Sequence, residues 1–179
     1  MATELDVLKT VSDLLGSAGI PYMLTGSFAL AFYATPRMTR DLDIVVELIP
    51  TDAARVVDLF VRDFYIDPDD VRSAIASRRM FNLMHSASGI KIDLIVRKDS
   101  RYREVELSRR RRVQMGGIDT WIVSPEDLIL SKLMWSLETE SELQQRDIVS
   151  LAQGPIDRDY LRDWAAKLGV LNELERLVP

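Results

Sequence analysis

Apolar positions recur with two periods along the chain, and each switch of period marks a new element. Leu5, Leu8, Val11, Leu14 and Leu15 share one face of a helix over about residues 3–17. Gly16, Gly19 and Pro21 close that helix. The run Tyr22–Thr25 then predicts a short buried strand, and Gly26–Ala34 a helix that opens directly behind it and closes before Pro36. Asp41–Leu48 predicts a strand stopped by Pro50. Thr51–Phe64 predicts an amphipathic helix capped by Thr51, and Asp67–Arg78 a shorter one with Pro68 in its first turn.

Further along, the apolar runs Met80–Ser86 and Ile90–Val96 flank Ala87-Ser88-Gly89, and Arg111–Met115 and Ile118–Val123 flank Gly116-Gly117. Both patterns predict hairpins. Ser124–Glu138 opens with a Ser cap, Pro125 in the first helical position and Asp127 where a capping box places its acid. From there to the end the period is helical, over about 141–153, 157–168 and 170–177. The predicted class is mixed α/β (α+β), a small, partly antiparallel sheet flanked by helices. A soft boundary near Ser124 separates a core at 1–123 from a C-terminal helical region at 124–179 packed on it.

Composition narrows the chemistry. Apolar residues are 47% and charged residues 28% of 179, enough for a sizeable core. The net charge is −5, so contact with nucleic acid would need a local basic patch. There is no cysteine and one histidine, His85, which excludes disulfides, thiolate sites and cysteine nucleophiles. Carboxylates must therefore carry any metal chemistry, and they favour hard ions such as Mg2+ or Mn2+. No apolar run approaches a membrane span, and the acidic N-terminus is no secretory signal, so a cytoplasmic location is expected.

The chemistry concentrates in Leu24–Val46. Asp41 and Asp43 lie two apart in a strand pattern, so both carboxylates project from one face and a divalent cation would relieve their repulsion. Gly26-Ser27 follows a strand and opens a helix, where free N–H groups bind phosphate and glycine admits close approach. Asp93 is the single acid of an apolar strand. Placed beside the first acidic strand, it completes a cluster of three carboxylates able to hold metal and to act on an attacking hydroxyl. Arg37 and Arg40 offer forked donors to phosphate oxygens. Six arginines between Arg101 and Arg112 read as a solvated face balancing nearby acids, with an RNA-binding patch as the functional alternative. Trp121, Trp135 and Trp164 read as core or interface anchors, and His85 is too isolated for catalysis.

Gly26-Ser27, Asp41-x-Asp43 and a later strand Asp93, in that order, resemble the signature of the nucleotidyltransferase superfamily typified by DNA polymerase beta. The resemblance spans roughly Tyr22–Leu151. It is closer to the prokaryotic abortive-infection type of nucleotidyltransferase toxins, through Arg37 and Thr39 before the acids, Lys132 in a later helix, and Arg146-Asp147 opening another. Ser131 and Ser150 stand where that group carries acids. The resemblance implies a minimal nucleotidyltransferase fold with a C-terminal helical extension, transferring a nucleoside monophosphate from an NTP to an acceptor hydroxyl on RNA, protein or a small molecule such as an antibiotic. Asp41, Asp43 and Asp93 would bind metal and, with Lys132, catalyse. Gly26, Ser27, Arg37, Arg40 and Lys132 would hold the triphosphate. A toxin role would further imply a cognate antitoxin. A catalytically silent binding module of the same fold is the rival reading.

Overall fold

A computed structural model describes residues 2–36, 41–139 and 141–178. These residues form nine α-helices around one seven-stranded sheet. Helix α1 (Glu4–Ser17) is capped by Thr3, which exchanges hydrogen bonds with Asp6 in a capping box. It leads to β1 (Tyr22–Thr25), α2 (Gly26–Tyr33) and β2 (Leu42–Val46). A 3-10 turn over Pro50–Asp52 precedes α3 (Ala53–Phe60), then come β3 (Phe64–Tyr65) and α4 (Pro68–Ser77). The first hairpin is β4 (Met80–His85) with β5 (Lys91–Val96); after α5 (Arg101–Ser108), the second is β6 (Arg111–Met115) with β7 (Ile118–Ile122). Helices α6 (Pro125–Thr139), α7 (Glu142–Leu151), α8 (Arg158–Lys167) and α9 (Leu171–Leu177) complete the chain.

The strand order is β3-β4-β5-β2-β1-β7-β6. Hairpin pairs are antiparallel, whereas β2–β5 and β1–β7 are parallel. The alternation of side chains then sorts the central strands into two faces. Leu42, Ile44 and Val46 of β2 and Ile92, Leu94 and Val96 of β5 all point into the core. Asp43, Val45, Asp93 and Ile95 occupy the other face. The apolar core is continuous from α1 through the sheet to Leu161 and Leu174, so it crosses Ser124 without a break.

Three local expectations change. The cap at the third helix is not Thr51: the chain first makes the 3-10 turn, in which Asp52 accepts from the Ile49 N–H at 2.9 Å. The Ser124 hydroxyl accepts from the Asp127 N–H at 3.1 Å but also donates to the Asp127 carboxylate at 2.6 Å. Finally, α5 and β3 are elements that apolar periodicity does not announce. No helix among the described residues is long and apolar enough to cross a membrane.

Candidate active site

The register of two parallel strands builds the site. Asp43 of β2 lies directly beside Asp93 of β5, and on its other side Asp43 pairs with Thr25, the residue before Gly26. The two acids share one sheet face, one strand spacing apart. Gly26 is the residue that lets the helix start there. Its φ is +64°, a left-handed conformation, and a Cβ would lie 2.7 Å from the Asp43 Cγ. Any other residue would be strained and would collide with the carboxylate. Ser27 is buried next to it.

The electrostatics are lopsided. Asp43 is pushed up to about 6, first by burial, then by the charges of Asp93 and Asp41; Lys132 and Lys91 act the other way without cancelling the rise. Among the described residues negative charge is thus in excess at this point. Asp93 is better provided for: Lys91 Nζ lies 2.9 and 3.1 Å from its two oxygens, and Asn82, its register partner on β4, donates to Oδ1. Asp41 is exposed at the entrance to β2. Among the described residues no three acidic or imidazole side chains are gathered as a finished ligand set. Asp93 is turned to Lys91 and Asn82, which is where an acid goes when its nearest alternative neighbour is another acid. The residue types fit a hard divalent cation, and the Asp43 carboxylate occupies the space that the missing Cβ of Gly26 leaves.

Lys132 of α6 faces the acids from across a cleft. It is 5% exposed, so it is no surface lysine. Its Nζ donates to Asp147 at 2.7 Å and to Gln144 at 3.0 Å, both on α7. The predicted late residues therefore meet: Asp147, 5% exposed, anchors Lys132 and is not an isolated helix start. The cleft has a volume of about 330 Å³ and runs between the sheet face and α6, with Gly26, Ser27, Asp43, Lys132, Ser131 and Trp135 on its walls. Arg37 and Arg40 lie outside the described residues, as does Thr39.

The arginine run resolves into ion pairs. Arg103 lies 2.8 Å from Glu106, Arg109 lies 3.3 Å from both Glu126 and Asp127, and Arg111 lies 3.5 Å from Glu126. Arg101 and Arg112 pair with Glu104 and Asp119, and Arg110 stacks over Trp121. Its first reading, arginines balancing nearby acids, holds, with the difference that Glu106, Glu126 and Asp127 are buried. Glu106 is the member sequence reasoning missed. It is 1% exposed, accepts from Ser131 at 2.8 Å, and thereby brings a carboxylate next to the position before Lys132. Burial pushes its carboxyl up despite Arg103. Among the tryptophans, Trp164 packs on Tyr102 and Tyr160 and Trp121 meets Arg110, but Trp135 is 58% exposed.

No family model matches the chain, and no curated protein does. Solved structures do. The chain is similar to an antigenic nucleotidyltransferase-like protein from Paracoccidioides brasiliensis, with a TM-score of 0.59, 18% identity, and 98% of this chain and 92% of the other covered. It is similar to the lincomycin-bound lincosamide antibiotic adenylyltransferase LnuA, with a TM-score of 0.56, 16% identity, and 84% and 96% covered. It is also similar to the antibiotic-resistance factor ANT(2'')-Ia, with a TM-score of 0.58, 9% identity and 95% of each chain covered. The chain has the nucleotidyltransferase fold.

Proposed function

We propose that this protein is a metal-dependent nucleotidyltransferase. The observation that carries the reading is the juxtaposition of Asp43 and Asp93 in register on parallel strands, beside a glycine whose side chain could be nothing else. In this reading Asp41, Asp43 and Asp93 hold Mg2+ or Mn2+. The bound ion would neutralise triphosphate charge and acidify the attacking hydroxyl. Gly26 and Ser27 cradle phosphate oxygens with their backbone, and Lys132, held straight by Asp147, adds a fixed positive charge. The acceptor oxygen attacks the α-phosphorus, its proton passes to Asp93, and the bond to the β-phosphate oxygen breaks to release pyrophosphate. Little covalent work is asked of the chain; positioning and charge suffice.

The acceptor is a hydroxyl on RNA, a protein or a small molecule. The fold neighbours that modify antibiotics support the small-molecule branch. So does the arginine run, in which Arg103, Arg109 and Arg111 are paired with Glu106, Glu126 and Asp127. The Lys132–Asp147 pair supports the abortive-infection likeness, and with it a cytoplasmic toxin held by an antitoxin. Copurification from the native cell tests that extension.

The test of the activity is transfer of label from α-labelled NTPs, with magnesium, to mixed RNA, protein and antibiotic acceptors. Label should move to one acceptor class with the wild type and to none with Asp43→Asn. Equal transfer by a folded Asp43→Asn variant would overturn the reading.

A further inference from the structure

Trp135 does what neither of the other tryptophans does. A tryptophan is rarely left in water without a reason, yet this one is 58% exposed. Its ring stacks on no other ring and no cation among the described residues, whereas Trp121 and Trp164 both do. It lies one turn after Lys132 on α6. Leu128, Ser131, Lys132 and Trp135 recur at helical spacing and line the same cleft. The cleft thus presents, in order along one wall, a lysine and then an aromatic face. Across it stand Gly26, Ser27 and Asp43, with Val45 and Ile95 as an apolar floor.

We infer that Trp135 is the stacking platform for the base of the nucleoside triphosphate, an inference that rests on the nucleotidyltransferase reading above. The cleft is the nucleotide's and not the acceptor's because of which acids border it. Asp43 lies on its wall and Asp93 does not. Asp93 turns instead toward Asn82 and Lys91, on the side of β4. A triphosphate bound at Gly26, Ser27 and Lys132 therefore directs its nucleoside into the cleft, whereas an acceptor reaches the site from the far side of Asp93. A ring face in such a place holds any base, because every base has a π-face. Selection among bases would then be weak, with polar groups at the cleft edge such as Gln144 tuning it.

The experiment compares two probes on three proteins. Magnesium tripolyphosphate reports the phosphate and metal site alone; the magnesium complexes of ATP, GTP, CTP and UTP report that site together with the cleft. Each is titrated calorimetrically into wild type, Trp135→Ala and Trp135→Phe. Base stacking of the usual strength predicts that Trp135→Ala weakens nucleoside triphosphates about tenfold, leaves tripolyphosphate unchanged, and is largely rescued by Trp135→Phe. Nucleotide, but not tripolyphosphate, should also quench tryptophan emission in the wild type and fail to do so in Trp135→Phe. Equal weakening of both probes would mean a structural role and overturn the inference. So would unchanged nucleotide affinity in Trp135→Ala, or the breakup of an oligomer with nucleotide binding intact. In those cases the nucleotidyltransferase reading survives. Failure of wild type to bind either probe would take both readings down.

Discussion

Two regions of this molecule bury carboxylates, and they handle the charge in opposite ways. Where α5, α6 and α8 meet, Asp127 is fully buried, yet it accepts from Ser124 at 2.6 Å, from Tyr160 at 2.7 Å and from Arg109 at 3.3 Å. Glu126 and Glu106 beside it are likewise matched by Arg109, Arg111 and Arg103. At the β2–β5 seam, Asp43 has two acids for neighbours and is pushed up to about 6. The first region pairs its acids with arginines and holds helices together, although Arg103 and Glu106 also border the cleft and burial still raises the Glu106 carboxyl. In the second, among the described residues, Asp43 keeps surplus charge on the wall of an open cleft. Among the described residues the fold pairs its acids with arginines in one place and gives Asp43 acids for neighbours in the other, and that contrast marks the β2–β5 seam as the candidate site.

The comparison breaks most visibly under substitution. Asp41→Asn with Asp43→Asn should cost transfer at least about a thousandfold, the scale on which essential electrostatic groups act, while circular dichroism stays native. Asp127→Ala should do the reverse. Removing one partner of a buried, bonded charge costs about 3 kcal/mol, so the urea midpoint should fall while the affinity of the remaining folded protein for magnesium tripolyphosphate is kept. A variant that harmed binding and spared stability would place Asp127 in the wrong region.

Asp43→Asn alone sharpens the contrast, because its effect on stability has a sign. A carboxyl raised from 3.8 to about 6 retains in the folded chain a proton that the unfolded chain has already lost. Its contribution to stability therefore declines as pH rises from about 4 to about 6, and the penalty is full above that. The shift sets a ceiling of about 3 kcal/mol. Asp43→Asn should melt higher than wild type at pH 7 and match it near pH 4. Magnesium with nucleotide should close the gap at pH 7 by stabilising the wild type only. At the small end, Lys9→Ala removes an exposed i,i+4 pair with Asp13 and should change stability by less than about 0.5 kcal/mol and transfer not at all.

Much of this was legible in the chain. The Asp-x-Asp spacing, the Gly-Ser at a helix start and Asp93 alone among apolar neighbours all carry their meaning locally, since strand alternation fixes which face each side chain takes. Their register is not local. That Asp43 meets Asp93, and not the residue two further on, comes from the parallel pairing of β2 with β5. Helix α5 escaped notice because its buried positions are Tyr102, Glu106 and Leu107, an acid where periodicity looks for an apolar residue. That same acid pairs with Arg103 at 2.8 Å. The only local signal was Ser100, whose hydroxyl accepts from the Arg103 N–H. Strand β3 has two residues, too few to alternate. Trp135 sits in an apolar helical pattern and so reads as an anchor; its exposure on the cleft wall is not legible from that pattern.

In the proposed function, Asp41, Asp43 and Asp93 form a place for metal and nucleotide. The most direct test of that function is calorimetric titration of each nucleoside triphosphate, with and without magnesium, into wild type and the Asp41→Asn/Asp43→Asn double variant. The account predicts binding by the wild type that requires magnesium and disappears in a double variant that is folded and, at pH 7, at least as stable. Binding of equal strength in the two proteins, or a wild type that is folded and binds none of the four, would contradict it.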